Sequence, residues 1–184
     1  SLGAVSPGFE YNDLGYQWMS NRINGHIVTG YRWFNSDGIF REKRVYLALA
    51  QSYDFEGDII NNVIYWSTNF IFTNYYSVNF QGNYNFEDYN SSLTRGGPKV
   101  KDPSNIWMMA SLSSDSKNSV SFNIGTEYGR NDDGGKYFGY WSTISWHPSY
   151  SFALTIGPSY SLDYETRTWV DKFSDSTAIN TYTN

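Results

Sequence analysis

Phe152-Ala153-Leu154-Thr155-Ile156-Gly157-Pro158-Ser159-Tyr160-Ser161-Leu162 alternates large apolar residues with small or hydroxylated ones. Phe152, Leu154, Ile156, Tyr160 and Leu162 fall on one side, and Ala153, Thr155, Gly157, Ser159 and Ser161 on the other. A period of two is the strand period, because successive side chains of an extended chain point to opposite faces. Pro158 lies on the apolar side, lacks an N–H for the ladder, and predicts an irregularity there.

The same alternation spreads outward through the chain. Ile23, Ile27, Tyr31 and Trp33 form one such face, and Val45, Leu47, Leu49, Tyr53 and Phe55 another. Ile64, Trp66, Phe70 and Phe72 follow, then Tyr76, Val78, Phe80 and Tyr84. Ile106, Met108, Ala110 and Leu112 are placed outward with less regularity. Val120, Phe122, Ile124 and Tyr128, then Phe138, Tyr140, Ile144 and Trp146, complete the set. This predicts eight strands, with a ninth near Thr166–Phe173, in a single domain over residues 1–184. Short turns are expected at 35–38, 73–75, 114–117 and 147–149, where Asn, Asp, Ser, Gly and Pro concentrate. Mostly longer connections are expected at 55–62, 86–105, 130–136 and 163–168, with 86–105 the longest. Short turns at one end and longer loops at the other describe an antiparallel up-and-down barrel. On that plan the 86–105 loop is extracellular.

Composition narrows the class. The 184 residues include 17 Tyr, 12 Phe and 7 Trp, yet mean hydropathy is −0.54. So many rings among Asn, Ser, Thr and Gly suggest sheets with one apolar face and one wet face. Net charge is −5 without a Lys/Arg cluster, which argues against nucleic acid as a partner. Cysteine is absent, which excludes disulfides, thiol catalysis and Cys-type zinc sites. No apolar run approaches the ~20 residues of a spanning helix. Ser1-Leu2-Gly3-Ala4 shows no signal-peptide pattern, so the segment reads as mature or excised from a longer chain.

The predicted strands mostly reach roughly nine alternating residues, enough for a tilted strand to cross hydrocarbon. Typical soluble strands have about 5–6. The polar face carries Ser, Asn, Gly, Ala and Gln rather than the Lys and Glu of a surface facing bulk water, which suits an aqueous lumen. Trp33, Tyr53, Phe55, Phe72, Tyr84, Tyr128 and Trp146 fall near the ends of apolar faces, where aromatic girdles sit. The fold expected is therefore an all-β transmembrane barrel of which this chain is one part. Leu47, Leu49, Phe70, Phe122, Ile124, Leu154 and Ile156 would face lipid.

Candidate chemistry is sparse. Arg32, Tyr65, Trp107 and Trp141 would point into the lumen, where the rings could stack on sugars or fill space. Arg95, in Thr94-Arg95-Gly96-Gly97-Pro98, could fold into the lumen and meet carboxylates. Asp132 and Asp133, on a Gly turn, are calcium candidates but lack the distal Glu of a calcium loop. An ordinary charged hairpin loop accounts for them better than a calcium site does. Glu10, Asp13, Glu56 and Asp58 could gather as acidic loops that bind cations, or form a glycosidase pair. His26 and His147 lie on different elements and make a poor metal pair. No catalytic residue, metal or cofactor is assigned.

Several runs resemble a family of bacterial outer-membrane barrel domains of unknown function. They are Gly8-Phe9-Glu10-Tyr11-Asn12-Asp13-Leu14-Gly15, Gly30-Tyr31-Arg32-Trp33, Phe55-Glu56-Gly57-Asp58, Thr94-Arg95-Gly96-Gly97-Pro98, Leu112-Ser113-Ser114-Asp115-Ser116, Tyr128-Gly129-Arg130-Asn131 and Gly157-Pro158-Ser159-Tyr160. In that family the barrel follows a carbohydrate-binding module resembling family nine. The resemblance implies a Gram-negative outer membrane, of Bacteroidota type, with no functional residues to transfer. The function expected is non-enzymatic: transport, surface display or a larger envelope complex. Its partners would be outer-membrane lipid, lipopolysaccharide, further barrel strands or other envelope proteins, and glycan. The alternatives are a soluble all-β carbohydrate-binding module and, third, a β-fold glycoside hydrolase.

Overall fold

The computed structural model describes residues 1–9, 20–90, 93–94 and 98–167. In chain order the strands are β1 (Leu2–Val5), β2 (Arg22–Trp33), β3 (Phe40–Tyr53), β4 (Ile59–Phe72), β5 (Ser77–Asn85), β6 (Asp88–Asn90), β7 (Val100–Asp102), β8 (Asn105–Ser113), β9 (Val120–Asn131), β10 (Lys136–Ser149), β11 (Phe152–Ile156) and β12 (Ser159–Tyr164). No helix occurs among the described residues, so none is long and apolar enough to cross a membrane. Ten strands form one antiparallel sheet in the order β1-β2-β3-β4-β5-β8-β9-β10, with β11 and β12 both paired to β10. Among the described residues the sheet is not closed: β1 and β11/β12 are its two edges. β6 and β7 form a separate small hairpin within the long connection.

The strand break at Gly157-Pro158 has a simple cause. Ile156 pairs with Ile144 and Ser159 pairs with Trp141, so the register is continuous across the gap. Pro158 cannot donate to the ladder but still accepts, from the Ser142 N–H at 2.9 Å. The predicted strand is thus one extended path divided by a missing donor.

Two connections expected to be long are tight turns. Asp54 Oδ1 accepts the N–H of Glu56 at 3.0 Å and of Asp58 at 2.9 Å, while Gly57 takes φ 98°. Asn131 Oδ1 accepts Gly135 N–H at 2.7 Å, with Gly134 at φ 94°. Side-chain acceptors and left-handed glycines close these turns, so the strands run further than their apolar alternation suggested. The 86–104 connection remains long. The ninth strand expected near 166–173 begins with residues in no strand, Thr166 and Arg167, and the rest lies outside the described residues.

Register defines the faces, since directly opposed residues in antiparallel strands share a side. One face carries Ile27, Leu49, Ile64, Tyr84 and Ile106 in one row across the sheet, and Phe122, Ile144 and Ile156 in another. Leu47, Phe70, Ile124 and Leu154 share this face. No hydrophobic residue among those described is buried, and Leu49 and Ile156 remain 47% and 58% exposed. A single sheet has no second layer to supply a core, whereas domains ordinarily bury a sheet's apolar face against another element.

Rings collect toward both ends of this face. Tyr31 and Trp33 meet edge-on at 4.7 Å, Phe40 stacks on Phe72 at 5.3 Å, and Trp146 meets Phe152 at 5.9 Å, all near the β2–β3, β4–β5 and β10–β11 turns. At the opposite end Tyr84 and Phe86 lie 4.9 Å apart.

Candidate functional site

The polar face holds the groups with chemical potential. Its rows follow directly from the pairings. One row runs Tyr65, Asn83, Trp107, Gly129, Tyr137, Asp163 across β4, β5, β8, β9, β10 and β12. A second runs Arg32, Arg44, Asn69, Asn79, Ser111, Gly125, Trp141, Ser159. Tyr65 and Trp107 therefore stand two strands apart, roughly 10 Å at the usual strand spacing, in one line with Tyr137. Arg32 and Trp141 share the second row but lie toward opposite sides of the sheet.

Each of these groups is held by a neighbour. Trp107 Nε1 donates to Glu127 Oε2 at 3.1 Å, and Tyr137 Oη donates to Glu127 Oε1 at 2.6 Å. One carboxylate thereby fixes two rings from adjoining strands. Tyr65 Oη donates to Gln81 Oε1 at 3.1 Å, and Trp141 Nε1 to Asn123 Oδ1 at 3.2 Å. The Trp141 ring lies over Gly125 so closely that any Cβ there would collide with it. Arg32 Nη2 donates to Glu42 Oε2 at 2.9 Å, and Arg44 pairs with the same carboxylate. These pairings let the charged run Arg41-Glu42-Lys43-Arg44 sit inside β3, before the first apolar residue that marked the strand in the sequence.

Trp107, Gly129, Tyr137, Asn105, Asn131 and Asp163 line a cleft of about 400 Å³ at the end of the sheet away from the short turns. The β9–β10 turn beside it is tied to neighbouring segments: Ser104 Oγ bonds Asp132, and Arg167 pairs with Asp133. Asp132 and Asp133 thus have different partners. Arg95, Glu10 and Asp13 lie outside the described residues. His26 meets Ser1 Oγ at 3.2 Å, while His147 belongs to β10, where its N–H donates to the Ser119 carbonyl at 2.7 Å.

The acidic convergence that does form among the described residues is Asp54, Glu56 and Asp58 in the β3–β4 turn. Lys99, from the long connection, pairs with all of them, reaching Asp58 Oδ2 at 2.8 Å. Burial works to raise the Asp54 carboxyl, but Lys99 and the turn N–H groups prevail and hold it below the usual carboxylate range. The same carboxylates hold the Lys99 ammonium above the ordinary lysine range, against a larger single effect of desolvation. The lysine is an internal counterion that pins the long connection to the rim.

Residues 2–184 match the family described as "Domain of unknown function (DUF5916)". The chain belongs to that family. No curated protein and no solved structure matches it. The DUF5916 description names no chemistry, so the site rests on geometry alone. Glu127, Tyr137 and Lys99 were not singled out in the sequence, although the alternation already places Glu127 on the wet face. Their partners are remote: Trp107 is 20 residues from Glu127, and Lys99 is 45 from Asp54.

Proposed function

We propose that this DUF5916 chain forms part of the wall of a β-barrel in a bacterial outer membrane, serving transport, surface display or a larger envelope assembly without catalysing a reaction. The observation that carries the reading is a one-layer sheet whose apolar face has no protein partner among the described residues and whose other face is cross-linked by amides, hydroxyls and paired charges. Lipid tails would cover the first face and water the second. β2, β3, β4, β9 and β10 run 12–14 residues, and roughly 9–11 tilted residues suffice to cross a bilayer. Rings near both ends of the apolar face support the same reading, as an interfacial girdle would collect them. Open edges are costly in hydrocarbon, so further strands would pair with β1 and with β11/β12.

The polar face suits neutral, hydroxylated solutes. Arg32 and Arg44 share Glu42, Glu127 is held by neutral donors, and Tyr65, Trp107 and Tyr137 present rings in line with amide neighbours. This supports glycan as the solute, and it would support the same ligand for a soluble module.

The test is fluorescence quenching in bilayers containing brominated phospholipid, using the full native chain. Trp66 lies on the apolar face opposite Leu47 and Gly82, and Trp107 on the polar face. Replacing Trp66 with Phe should remove a lipid-quenchable signal, and replacing Trp107 with Phe should remove one that only aqueous quenchers reach. A chain that stays monodisperse without detergent and shows no lipid quenching would rule out the membrane reading.

A further inference from the structure

The short-turn end of the sheet carries an unusual tyrosine. Tyr75 sits in the β4–β5 turn at φ 64°, a left-handed conformation that bulky residues rarely adopt and that Gly or Asn would take readily. The turn is otherwise regular: Phe72 N–H donates to the Tyr76 carbonyl at 2.8 Å, and Tyr75 N–H to the Phe72 carbonyl at 3.0 Å. The strained backbone leaves the ring 44% exposed. Cations from the neighbouring segments on either side converge on it. Arg41, at the irregularity that opens β3, stands 4.8 Å from the ring centroid and donates from Nη1 to Tyr75 Oη at 3.0 Å. Lys117, in the β8–β9 turn, places Nζ 5.6 Å from the same centroid.

Among the described residues neither cation has a carboxylate at ion-pair distance. Of the carboxylates at this end, Asp37 pairs with Lys43 at 2.8 Å, Glu42 is shared by Arg32 and Arg44, and Asp115 accepts the Lys117 backbone N–H at 2.9 Å. The opposite rim is acidic, with Asp54, Glu56 and Asp58 around Lys99. Arg32, Arg41, Lys43, Arg44 and Lys117 thus outnumber Asp37, Glu42 and Asp115 at the turn end, where Lys43 lies over the rings of Trp33 and Phe40.

We propose that Arg41, Tyr75 and Lys117 form a binding site for the phosphate of an anionic phospholipid headgroup. The inference rests on the membrane reading, which sets this end at the lipid–water boundary. Guanidinium and ammonium would supply charge-assisted donors to phosphate oxygens, and the Tyr75 ring would hold both cations toward the headgroup layer by cation–π attraction. A bulky residue kept in a left-handed turn conformation, with its exposed ring set between two cations, motivates the functional reading.

The experiment uses the full native chain reconstituted in phosphatidylcholine containing phosphatidylglycerol, with co-purifying lipid counted by native mass spectrometry. Phosphatidylglycerol should be retained over phosphatidylcholine, and Arg41→Gln with Lys117→Gln should reduce that preference roughly twenty-five-fold, about fivefold for each cation. Tyr75→Gly separates the site from the turn: glycine accepts the left-handed backbone, so thermal stability should hold or rise while the preference falls. Equal retention of both lipids, or a preference unchanged in these variants, would overturn the proposal while leaving the barrel intact. Equally tight capture of soluble glycerol phosphate would also overturn it, by removing the lipid as the source. Failure to insert into any bilayer would instead defeat the membrane reading beneath it.

Discussion

The two faces of the sheet are made from the same strands and are stabilised in opposite ways. On the polar face the large polar groups are tied to neighbours: Trp107 and Tyr137 to Glu127, Trp141 to Asn123, Tyr65 to Gln81, and Arg32 and Arg44 to Glu42. On the apolar face the side chains touch along the sheet but nothing in the described chain covers them. One face is tied together by its own contacts, and the other is left uncovered among the described residues. The difference teaches that polarity alone does not reveal which side of a sheet is the interior. The polar face here has the specific contacts normally associated with a core, and the apolar face has the exposure normally associated with a surface.

The strongest way to break this comparison is to place a charge on each face in turn. Leu49 lies mid-strand on the apolar face, opposite Ile27 and Ile64. In a bilayer Leu49→Arg should cost about 2–4 kcal/mol, read as the folded fraction by heat-modifiable gel migration. Ser67→Arg, on the polar face opposite Tyr46 and Gln81, should cost much less. If Leu49→Arg left the folded fraction unchanged and simply improved solubility, the apolar face would be meeting water or a soluble partner instead.

A smaller effect sharpens the account of the polar face. Glu127→Ala removes the acceptor shared by Trp107 Nε1 and Tyr137 Oη. Leaving half-buried donors without a partner costs about 1–3 kcal/mol, and the Trp107 emission should shift as the ring loosens. Glu127→Gln, which keeps one acceptor oxygen, should lose less. Equal losses for the two variants would mean that the carboxylate does not hold both rings.

The smallest expected effect is at the acidic rim, and it depends on pH. The Asp54 carboxyl is held below its usual value of 3.8, so the native state binds that proton less readily than the unfolded chain. Its contribution is present above that value and is lost as pH falls through the lower, folded value. Lys99 is raised above its usual 10.5, so its contribution is complete below that value and lost only as pH rises beyond the folded one. Lys99→Met should flatten both limbs of the stability profile. It should also speed proteolysis of the 86–104 connection, because that segment loses its tie to Asp54, Glu56 and Asp58. A profile identical to that of the native chain would show that the lysine does not pin the connection.

Much of this architecture is local in origin and could therefore be read from the chain. The period of two separated Leu154, Ile156 and Phe122 from Thr155, Gly157 and Asn123, because an extended backbone leaves alternate side chains no other choice of side. Turn chemistry located the 73–75 and 114–117 turns, and Pro158 foretold a ladder interruption. What stayed hidden was long-range. β1 has only four residues and little alternation, and it exists as a strand by pairing with β2. The β6–β7 hairpin lies in a polar stretch without a strand pattern. The charged start of β3 and the closing of the 54–58 turn depend on side chains finding particular acceptors.

The amino-acid sequence by itself determined the two faces and the antiparallel succession of hairpins, since both follow from steric rules acting over a few residues. Only the tertiary structure decided which residues became neighbours across the sheet. Strand pairing converts distant positions such as Trp107 and Glu127, Asp54 and Lys99, or Arg41, Tyr75 and Lys117 into single chemical groupings, and no local period encodes that register.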